Sequence, residues 1–263
     1  MKILKRGIFK KDGEEVFQYS LKNYNNIEVK ILNLGGIITD ILIPDKYGTV
    51  ENIVVKWKNL KDYINDNSYS GAIIGRTAGR IAGGYIDIYE KRYELTKNQG
   101  INTLHGGIHG FNSKIWKGTI FENKKEVGVI LEAKSKYGED GFPGNIDIKV
   151  KYTLNDKDEF SIEYYGKSDK EGQIALKDEV SGRILEISTD REAVVVYSTN
   201  FPESSKELEW GGNLEKHGAI CFEAQNLPIG PKGRFMKNSL IKKDEEYKAK
   251  TILKFRVHKD NEF

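Results

Sequence analysis

The sequence has a single cysteine, Cys221, among its 263 residues. One cysteine excludes an internal disulfide and any cysteine-rich metal site, and it is typical of proteins of the reducing cytosol. No apolar run approaches the roughly 20 residues needed to span a bilayer. The basic N-terminus is not followed by the apolar core of a signal peptide. The sequence therefore predicts a cytoplasmic protein that does not enter a membrane.

The sequence also lacks an excess of charge of either sign. Its 42 Lys and Arg residues and 39 Asp and Glu residues give a net charge of +3, which is too balanced to favour nucleic acid or an anionic membrane as a partner. With 38% hydrophobic residues, a chain of this length can bury a sizeable core. Because no linker or internal repeat interrupts it, we predict a single domain over residues 1–263.

Apolar and polar residues alternate with a period of two along much of the chain, as in strands with one buried face. The alternation is clearest at 146–152, 160–164 and 247–257. Helical periodicity is weak, with only a short turn expected at 59–67. Many strands separated by turn residues predict an all-β fold, an antiparallel sandwich or a barrel-like form. Shorter strands are predicted at 29–34, 37–43, 50–57, 118–122, 128–133, 183–188 and 193–198.

A glycine-rich stretch at 71–84 carries two arginines, Arg76 and Arg80, four residues apart. Glycine lets the backbone approach a ligand or another segment closely, and guanidinium groups suit hydroxyl or carboxylate acceptors. The stretch lacks the Gly-Lys-Ser/Thr ending of a phosphate-binding loop. Two interpretations stay open: a ligand-binding loop, and arginines that hold loops together.

His105 and Glu223 are the candidates for proton transfer. Beside His105, Gly106 and Gly107 would leave room for a ligand, and the alternative is a histidine that bonds to neighbouring backbone. Glu223 lies in an apolar strand at 219–224, where burial raises the pKa of a carboxyl group toward the working pH. Here the alternative is a glutamate that points outward from an edge strand.

Two further features have simpler interpretations. His109 follows His105 by four residues, a spacing that binds metal only on a helix, and the neighbouring glycines disfavour a helix. No metal site is therefore predicted. The segment 138–144 is rich in glycine and acidic residues. A tight turn is the favoured interpretation of this segment, with sugar binding by its carboxylates as the alternative.

The chain resembles the aldose 1-epimerase (galactose mutarotase) family along nearly its whole length, and the matching motifs occur in the family's order. The motif Asn-Thr-Leu-His-Gly-Gly at 102–107, followed by Gly-Phe-Pro-Gly-Asn at 141–145, is the most specific pair. The resemblance implies a large antiparallel β-sandwich with an open cleft that binds a free hexose, galactose or glucose, without a cofactor. The other matching stretches are 33–57, 71–84, 181–201 and 219–255.

The resemblance also implies roles for three side chains. Arg80 falls on the family's sugar-binding arginine, His105 on the histidine of its Leu-His-Gly-Gly motif, and Glu223 on its general base. In the family mechanism the glutamate takes the proton of the anomeric hydroxyl, a histidine protonates the ring oxygen, and the opened sugar closes to the other anomer. Ring opening removes one proton and delivers another, so an acid and a base must flank the sugar.

The chain departs from the family pattern at three places. Gly79 stands at a sugar-binding position where the family has asparagine, and Val195 stands where it has glutamine. A long internal segment after 160–165, which carries the family's general-acid histidine and a sugar-binding aspartate, is absent. We therefore expect a shortened sandwich in which His105 binds the sugar and is the candidate to replace the missing acid. The histidines of this chain are His105, His109, His217 and His258.

The sequence leaves three functions open. The first is an active aldose 1-epimerase, slowed on the order of 10²–10⁴-fold by the loss of the acid. The second is a catalytically defective sugar-binding protein of the same fold. The third, a sugar-phosphate epimerase relative, lacks the basic cluster that it would need. Missing strands would expose sheet edges that pair with another chain, so we also expect a homo-oligomer or a lowered melting temperature.

Overall fold

The computed structural model describes residues 1–88, 91–164, 172–177, 183–202, 206–226 and 248–257. Strands dominate these residues, and the all-β fold class predicted from the sequence is confirmed. No helix in the described ranges is long and apolar enough to cross a membrane. Those ranges contain short 3-10 helices at Leu60–Tyr63, Ala82–Gly84, Phe111–Ser113 and Glu139–Gly141.

The strands are numbered in chain order. They are β1 (Lys2–Lys11), β2 (Glu14–Lys22), β3 (Glu28–Leu32), β4 (Ile38–Pro44), β5 (Val50–Asn52), β6 (Arg80–Ile81), β7 (Tyr85–Ile88), β8 (Lys91–Glu94), β9 (Thr103–Leu104), β10 (Lys117–Glu122), β11 (Glu126–Ser135), β12 (Ile146–Asn155), β13 (Glu159–Tyr164), β14 (Gly172–Lys177), β15 (Arg183–Thr189), β16 (Ala193–Tyr197), β17 (Cys221–Gln225) and β18 (Ala249–Val257).

Two large antiparallel sheets form the body of the molecule. Strands β1 to β5 make a five-stranded meander in which each strand pairs with the next. The second sheet has seven strands in the order β10-β11-β12-β13-β18-β15-β14. Three two-stranded sheets, β6 with β9, β7 with β8 and β16 with β17, accompany them.

The main core lies between the two large sheets. Leu21 and Val29 of the first sheet belong to the same buried cluster as Leu131 and Tyr152 of the second. Each fully buried aliphatic side chain of this kind contributes about 1.5–3 kcal/mol of transfer free energy. The Tyr152 hydroxyl is also satisfied, because it donates to the Gly36 carbonyl oxygen at 2.7 Å. Packing of one sheet face on another confirms the predicted sandwich.

Most of the predicted strands are present with small shifts at their ends, and the turn expected at 59–67 is the 3-10 helix Leu60–Tyr63. The strand predicted at 50–57 is correct only for Val50–Asn52. It ends there because the Asn52 side-chain oxygen accepts the N–H groups of Ile41 at 3.0 Å and Val54 at 3.2 Å. That oxygen occupies the backbone donors that a longer strand would use.

The seven-stranded sheet is unbroken where the family's internal segment is absent. Strand β13, which precedes that point, pairs with β18 from Glu159 opposite Lys254 to Tyr164 opposite Ala249. Strand β18 pairs in turn with β15. The strands before and after the absent segment are thus joined through β18, and among the described strands β10 and β14 are the edges of this sheet. The expected homo-oligomer stays a prediction.

Candidate active site

A short antiparallel strand pair carries Arg80 and places His105 at its end. Arg80 of β6 lies opposite Leu104 of β9. Just beyond this pair, the His105 N–H donates to the Gly79 carbonyl oxygen at 3.0 Å. The Gly79 N–H donates to His105 Nδ1 at 3.2 Å. Two hydrogen bonds therefore hold the backbone and the ring of His105 against the start of β6.

The glycines after His105 serve close packing of the backbone. A Cβ on Gly106, whose φ is +88°, would lie 2.0 Å from the Gly75 carbonyl oxygen, and a Cβ on Gly107 would lie 2.5 Å from Asp140 Cγ. Neither contact is sterically possible, so glycine is needed at both positions. The expectation that these glycines leave room for a ligand is wrong, because protein atoms fill the space.

The His105 imidazole is mostly shielded from solvent and favours its neutral form. Its ring packs against Tyr69, with ring centroids 4.7 Å apart and planes tilted by 55°. Burial, and then the positive charge of Arg80, lower the pKa of His105 to about 4. Both effects disfavour the imidazolium. At neutral pH this side chain is therefore an uncharged imidazole.

Arg80 is exposed but fixed in orientation. Its Nε donates a hydrogen bond to Gln99 Oε1. Within the described residues its terminal guanidinium nitrogens have no hydrogen-bond partner. A guanidinium held by one nitrogen and open at the other two can donate to neighbouring hydroxyl groups of a ligand.

Glu223 lies on the β16–β17 hairpin, directly opposite Val195. It is partly buried, and burial raises the pKa of its carboxyl group while the Arg80 charge acts in the other direction. Across the described part of the chain, its carboxylate accepts no hydrogen bond. A carboxylate that is partly desolvated and has no bonded partner is a stronger base than a solvated one.

The charge of Arg80 connects the two candidates for proton transfer. This charge contributes to the lowered pKa of His105, and it opposes the rise that burial causes in the pKa of Glu223. Because such influence falls with distance and with solvent screening, His105 and Glu223 each lie near Arg80, and this is the neighbourhood that they share. The fold thus brings together residues that lie far apart in the sequence, and the chemical role of each stays a prediction.

Comparison with known proteins decides the family. The sequence model described as Aldose 1-epimerase matches residues 18–174, a stretch that contains Arg80 and His105. The chain belongs to the aldose 1-epimerase family. An aldose 1-epimerase of Streptococcus thermophilus is 32% identical over 162 residues, covering 62% of this chain and 47% of that protein. The relatives that share this name are isomerases of the racemase and epimerase class.

Longer alignments connect the chain to galactose mutarotases. The human galactose mutarotase is 25% identical over 332 residues, covering 93% of this chain and 95% of that protein. Because this chain has 263 residues, the remaining positions of the alignment, at least 69 (332 less 263), have no counterpart in it. This agrees with the predicted internal shortening.

Solved structures confirm the fold of this aldose 1-epimerase family member. Galactose 1-epimerase from Lactobacillus acidophilus superposes with a TM-score of 0.82 at 18% sequence identity, covering 97% of this chain and 99% of that one. A galactose mutarotase homologue from C. elegans gives a TM-score of 0.79 at 18% identity, covering 90% and 98%. The sandwich is therefore retained in the shorter chain.

Two departures from the family pattern differ in their structural effect. Gly79 has a φ of +71°, a region that asparagine tolerates better than most side chains. Glycine here therefore keeps the backbone conformation and loses only an amide side chain. Val195, in contrast, places an apolar group across the hairpin from Glu223, where the resemblance puts an amide.

The two arginines of the glycine-rich stretch have different roles. Arg76 donates to Ser135 Oγ at 2.8 Å and to the carbonyl oxygens of Pro143 and Lys136 at 2.7 Å each. With its donors used in this way, Arg76 holds the 135–143 loop in place. Of the two interpretations, the one in which arginines hold loops together is correct for Arg76. The terminal nitrogens of Arg80, in contrast, are open toward solvent.

The acidic segment 138–144 forms a turn, as the favoured interpretation predicted, and the structure shows that it also supports the His105 loop. The Asp140 carboxylate accepts the N–H of Ile108 at 3.0 Å and that of His109 at 2.8 Å. This carboxylate is almost fully buried, with 2% of the side chain exposed. A buried carboxylate bonded to two backbone donors fixes the segment that follows His105.

The other histidines do not share the position of His105. The His109 side chain is 71% exposed, 3.6 Å from Asp140. His217 is exposed and its Nε2 lies 3.0 Å from Asn200 Oδ1. His258 lies outside the described residues. Of the described histidines, His105 is the one beside Arg80.

Three residues that support the site escape the sequence analysis. Tyr69 packs on His105, and Gln99 holds Arg80. The Asn98 side chain donates to the carbonyl oxygens of Leu104 at 2.9 Å and Gly107 at 3.1 Å, and accepts the Leu104 N–H at 2.7 Å. Asparagine shortly before a glycine, as at Asn98 and Gly100, indicates a turn, but nothing in the sequence indicates which loop such a turn supports.

Proposed function

We propose that this chain interconverts the α and β anomers of a free hexose by opening and closing the sugar ring. Relatives named aldose 1-epimerase and galactose mutarotase support this activity. Those named galactose mutarotase make galactose the first sugar to test, with glucose beside it. The reaction moves only protons and one C–O bond, so it requires no cofactor.

The Glu223 carboxylate carries the proposal. It is partly buried, its pKa is raised by burial, and within the described residues it has no hydrogen-bond partner. A purely structural carboxylate in an apolar strand would be paired, since an unpaired buried charge is costly. An unpaired carboxylate beside Arg80 instead suits a base that waits for a substrate proton.

The reaction begins when Glu223 takes the proton of the anomeric hydroxyl O1. The O1 electrons form the C1=O1 double bond, the bond between C1 and the ring oxygen O5 breaks, and O5 takes up a proton from water. Rotation about the C1–C2 bond presents the other face of the aldehyde. Ring closure by the reverse steps returns the proton from Glu223 to O1 and gives the other anomer.

Arg80 and His105 hold the sugar in this proposal. The open nitrogens of Arg80 donate to ring hydroxyl groups, and the positive charge of Arg80 lowers the pKa of Glu223, against the effect of burial. His105 is hydrogen-bonded to Gly79, the residue before this arginine, and lies within reach of the Arg80 charge. Positioning of this kind contributes to rate by aligning O1 with the base.

Anomer exchange measured by NMR tests the proposal directly. Pure α-galactose and α-glucose are dissolved with the purified protein, and the rate of β-anomer appearance is compared with that in buffer. We expect acceleration that scales with protein concentration and disappears in Glu223→Gln. Calorimetric titration of galactose into the same samples measures binding separately.

The two measurements separate the outcomes. A folded protein that gives no acceleration with either sugar would overturn the proposed activity. If calorimetry then showed saturable binding, the chain would be a sugar-binding protein that has lost catalysis. If glucose 6-phosphate were turned over in preference to both sugars, the substrate would be a sugar phosphate and the proposal would be wrong.

A further inference from the structure

We propose that the main-chain N–H of Gly79 fixes His105 as the neutral tautomer with its proton on Nε2, so that His105 donates a hydrogen bond to a sugar oxygen and does not deliver a proton to it. The tautomer is inferred from geometry alone, and the sugar contact rests on the proposed function. The inference replaces the expectation that His105 substitutes for the missing acid.

The hydrogen bond between Gly79 and His105 sets the direction of the ring. A backbone N–H can only donate, so Nδ1, 3.2 Å from the Gly79 nitrogen, must accept. A neutral imidazole with an accepting Nδ1 carries its proton on Nε2. The second contact, from the His105 N–H to the Gly79 carbonyl oxygen at 3.0 Å, holds the two residues in this arrangement.

The surroundings of the ring resist protonation of Nδ1. A proton there would face the Gly79 N–H and break the hydrogen bond. The titratable groups against the ring are Arg80 on β6, whose charge opposes an imidazolium, and the Tyr69 ring from the preceding loop. Within the described residues no carboxylate bonds to the imidazole to favour its charged form. The lowered pKa of His105, about 4, agrees with this geometry.

The opposite ring nitrogen is left for a ligand. Nε2 has no hydrogen-bond partner in the described part of the chain. Its N–H is a donor of fixed direction, on a ring that is half-buried and packs against Tyr69. A neutral donor of this kind stabilises a sugar oxygen that gains negative charge while the proton itself comes from water.

Long-range ¹H–¹⁵N NMR of the uniformly ¹⁵N-labelled protein tests the tautomer without any activity. The ring signals of His105 are identified by their loss in His105→Asn. We expect the pattern of an Nε2-protonated neutral ring at pH 7 that persists to about pH 5. An Nδ1-protonated ring, or protonation near the usual pKa of about 6.5, would overturn the inference whether or not the protein is an epimerase.

Two substitutions of His105 separate donation from structure. In His105→Gln the side-chain amide N–H₂ stands near the place of Nε2, so the donor is kept while the acceptor for Gly79 is lost. In His105→Asn the amide oxygen stands near Nδ1, so the acceptor is kept while the donor is lost. We expect Gln to retain the anomer-exchange rate within about tenfold of wild type and Asn to lose about 100-fold, as removal of a directed donor does.

The opposite ranking, or equal losses in both variants, would show that His105 transfers a proton or serves structure only. Melting temperatures of both variants identify a loss that comes from unfolding. A wild-type protein with no anomer exchange would remove the proposed function but leave the tautomer to be decided by NMR. The two proposals can therefore fail independently.

Discussion

The two sides of the candidate site are held in opposite ways. On one side, the His105 ring accepts a hydrogen bond from Gly79, Arg80 donates one to Gln99, and the loop after His105 is anchored by Asp140. On the other side, Glu223 lies on a regular hairpin and has no hydrogen bond within the described residues. The proposed binding groups are thus held by hydrogen bonds, and the proposed base has no hydrogen-bond partner among the described residues.

This difference follows from what each group would have to do. A hydrogen-bond donor for a sugar works best when its direction is fixed before binding. A base must keep its lone pairs free, and every N–H bonded to a carboxylate would lower its pKa and its proton affinity. The family resemblance puts an amide at 195, and Val195 removes that donor, which increases the contrast between the two sides.

Removal of the base should have the largest effect. In Glu223→Gln the proton acceptor is gone, so we expect the exchange rate to fall by about 10²–10⁴-fold while galactose binding is kept. NMR exchange and calorimetry on the same sample measure the two quantities. Glu215→Gln, which changes an exposed carboxylate, is the matched control. Retention of most of the rate in Glu223→Gln would remove Glu223 from the mechanism.

Loss of Arg80, whose charge acts on both His105 and Glu223, should affect both sides of the site. Arg80→Met removes charge-assisted hydrogen bonds to the sugar, and we expect KM to rise about 10–100-fold. Because Arg80 lowers the pKa of Glu223, its removal should move the acidic limb of the rate profile to higher pH. Arg92→Met, an exposed arginine paired with Asp87, is the control. A changed KM with an unmoved acidic limb would contradict the shared neighbourhood.

Acidification should weaken folding through His105. Its pKa is about 4 in the folded protein and about 6.5 in an unfolded chain, so between these values the unfolded chain binds the proton. The free energy of unfolding should therefore fall as pH falls from 6.5 to 4, by up to about 3 kcal/mol. Urea unfolding at pH 7 and pH 4.5 measures the change. In His105→Asn the free energy of unfolding should fall less between these pH values than in wild type. In the control His109→Asn it should fall as much as in wild type. Equal falls in wild type and His105→Asn would contradict the fixed neutral ring.

Restoring the family's amide should have the smallest effect. Gly79 has a φ of +71°, which asparagine tolerates, and Gly79→Asn keeps the main-chain N–H that bonds His105. We expect galactose to bind up to about tenfold more tightly, as one added hydrogen bond allows. Gly79→Ala supplies a side chain without an amide and should show no gain. Equal affinities in Asn and Ala variants would mean that position 79 does not face the sugar.

The fold could be predicted where one strand face is buried. Residues 146–152 alternate visibly because β12 has buried Val150 and Tyr152 on one face and exposed Lys149 on the other. Strand β1 has only Phe9 buried among its ten residues, so its pattern is hidden by charge. The short pair β6–β9 has two residues a side, which is too few for any periodicity to show.

The site could be predicted in its residues but not in its construction. The motif resemblance singles out Arg80, His105 and Glu223, and the fold places the last two near Arg80. Spacing cannot tell Arg76 from Arg80, because the difference lies in the carbonyl oxygens of a loop about 60 residues away. The glycines beside His105 suggest an opening, and only tertiary packing shows that the Gly75 backbone and the Asp140 carboxylate fill it.

A crystal structure of Glu223→Gln with galactose is the most direct measurement of whether the two sides face one sugar. We predict a single bound galactose with O1 within hydrogen-bonding distance of the residue 223 side chain, ring hydroxyl groups on Arg80, and another sugar oxygen on Nε2 of His105. Galactose bound elsewhere, or a sugar that contacts residue 223 or His105 but not both, would contradict the account.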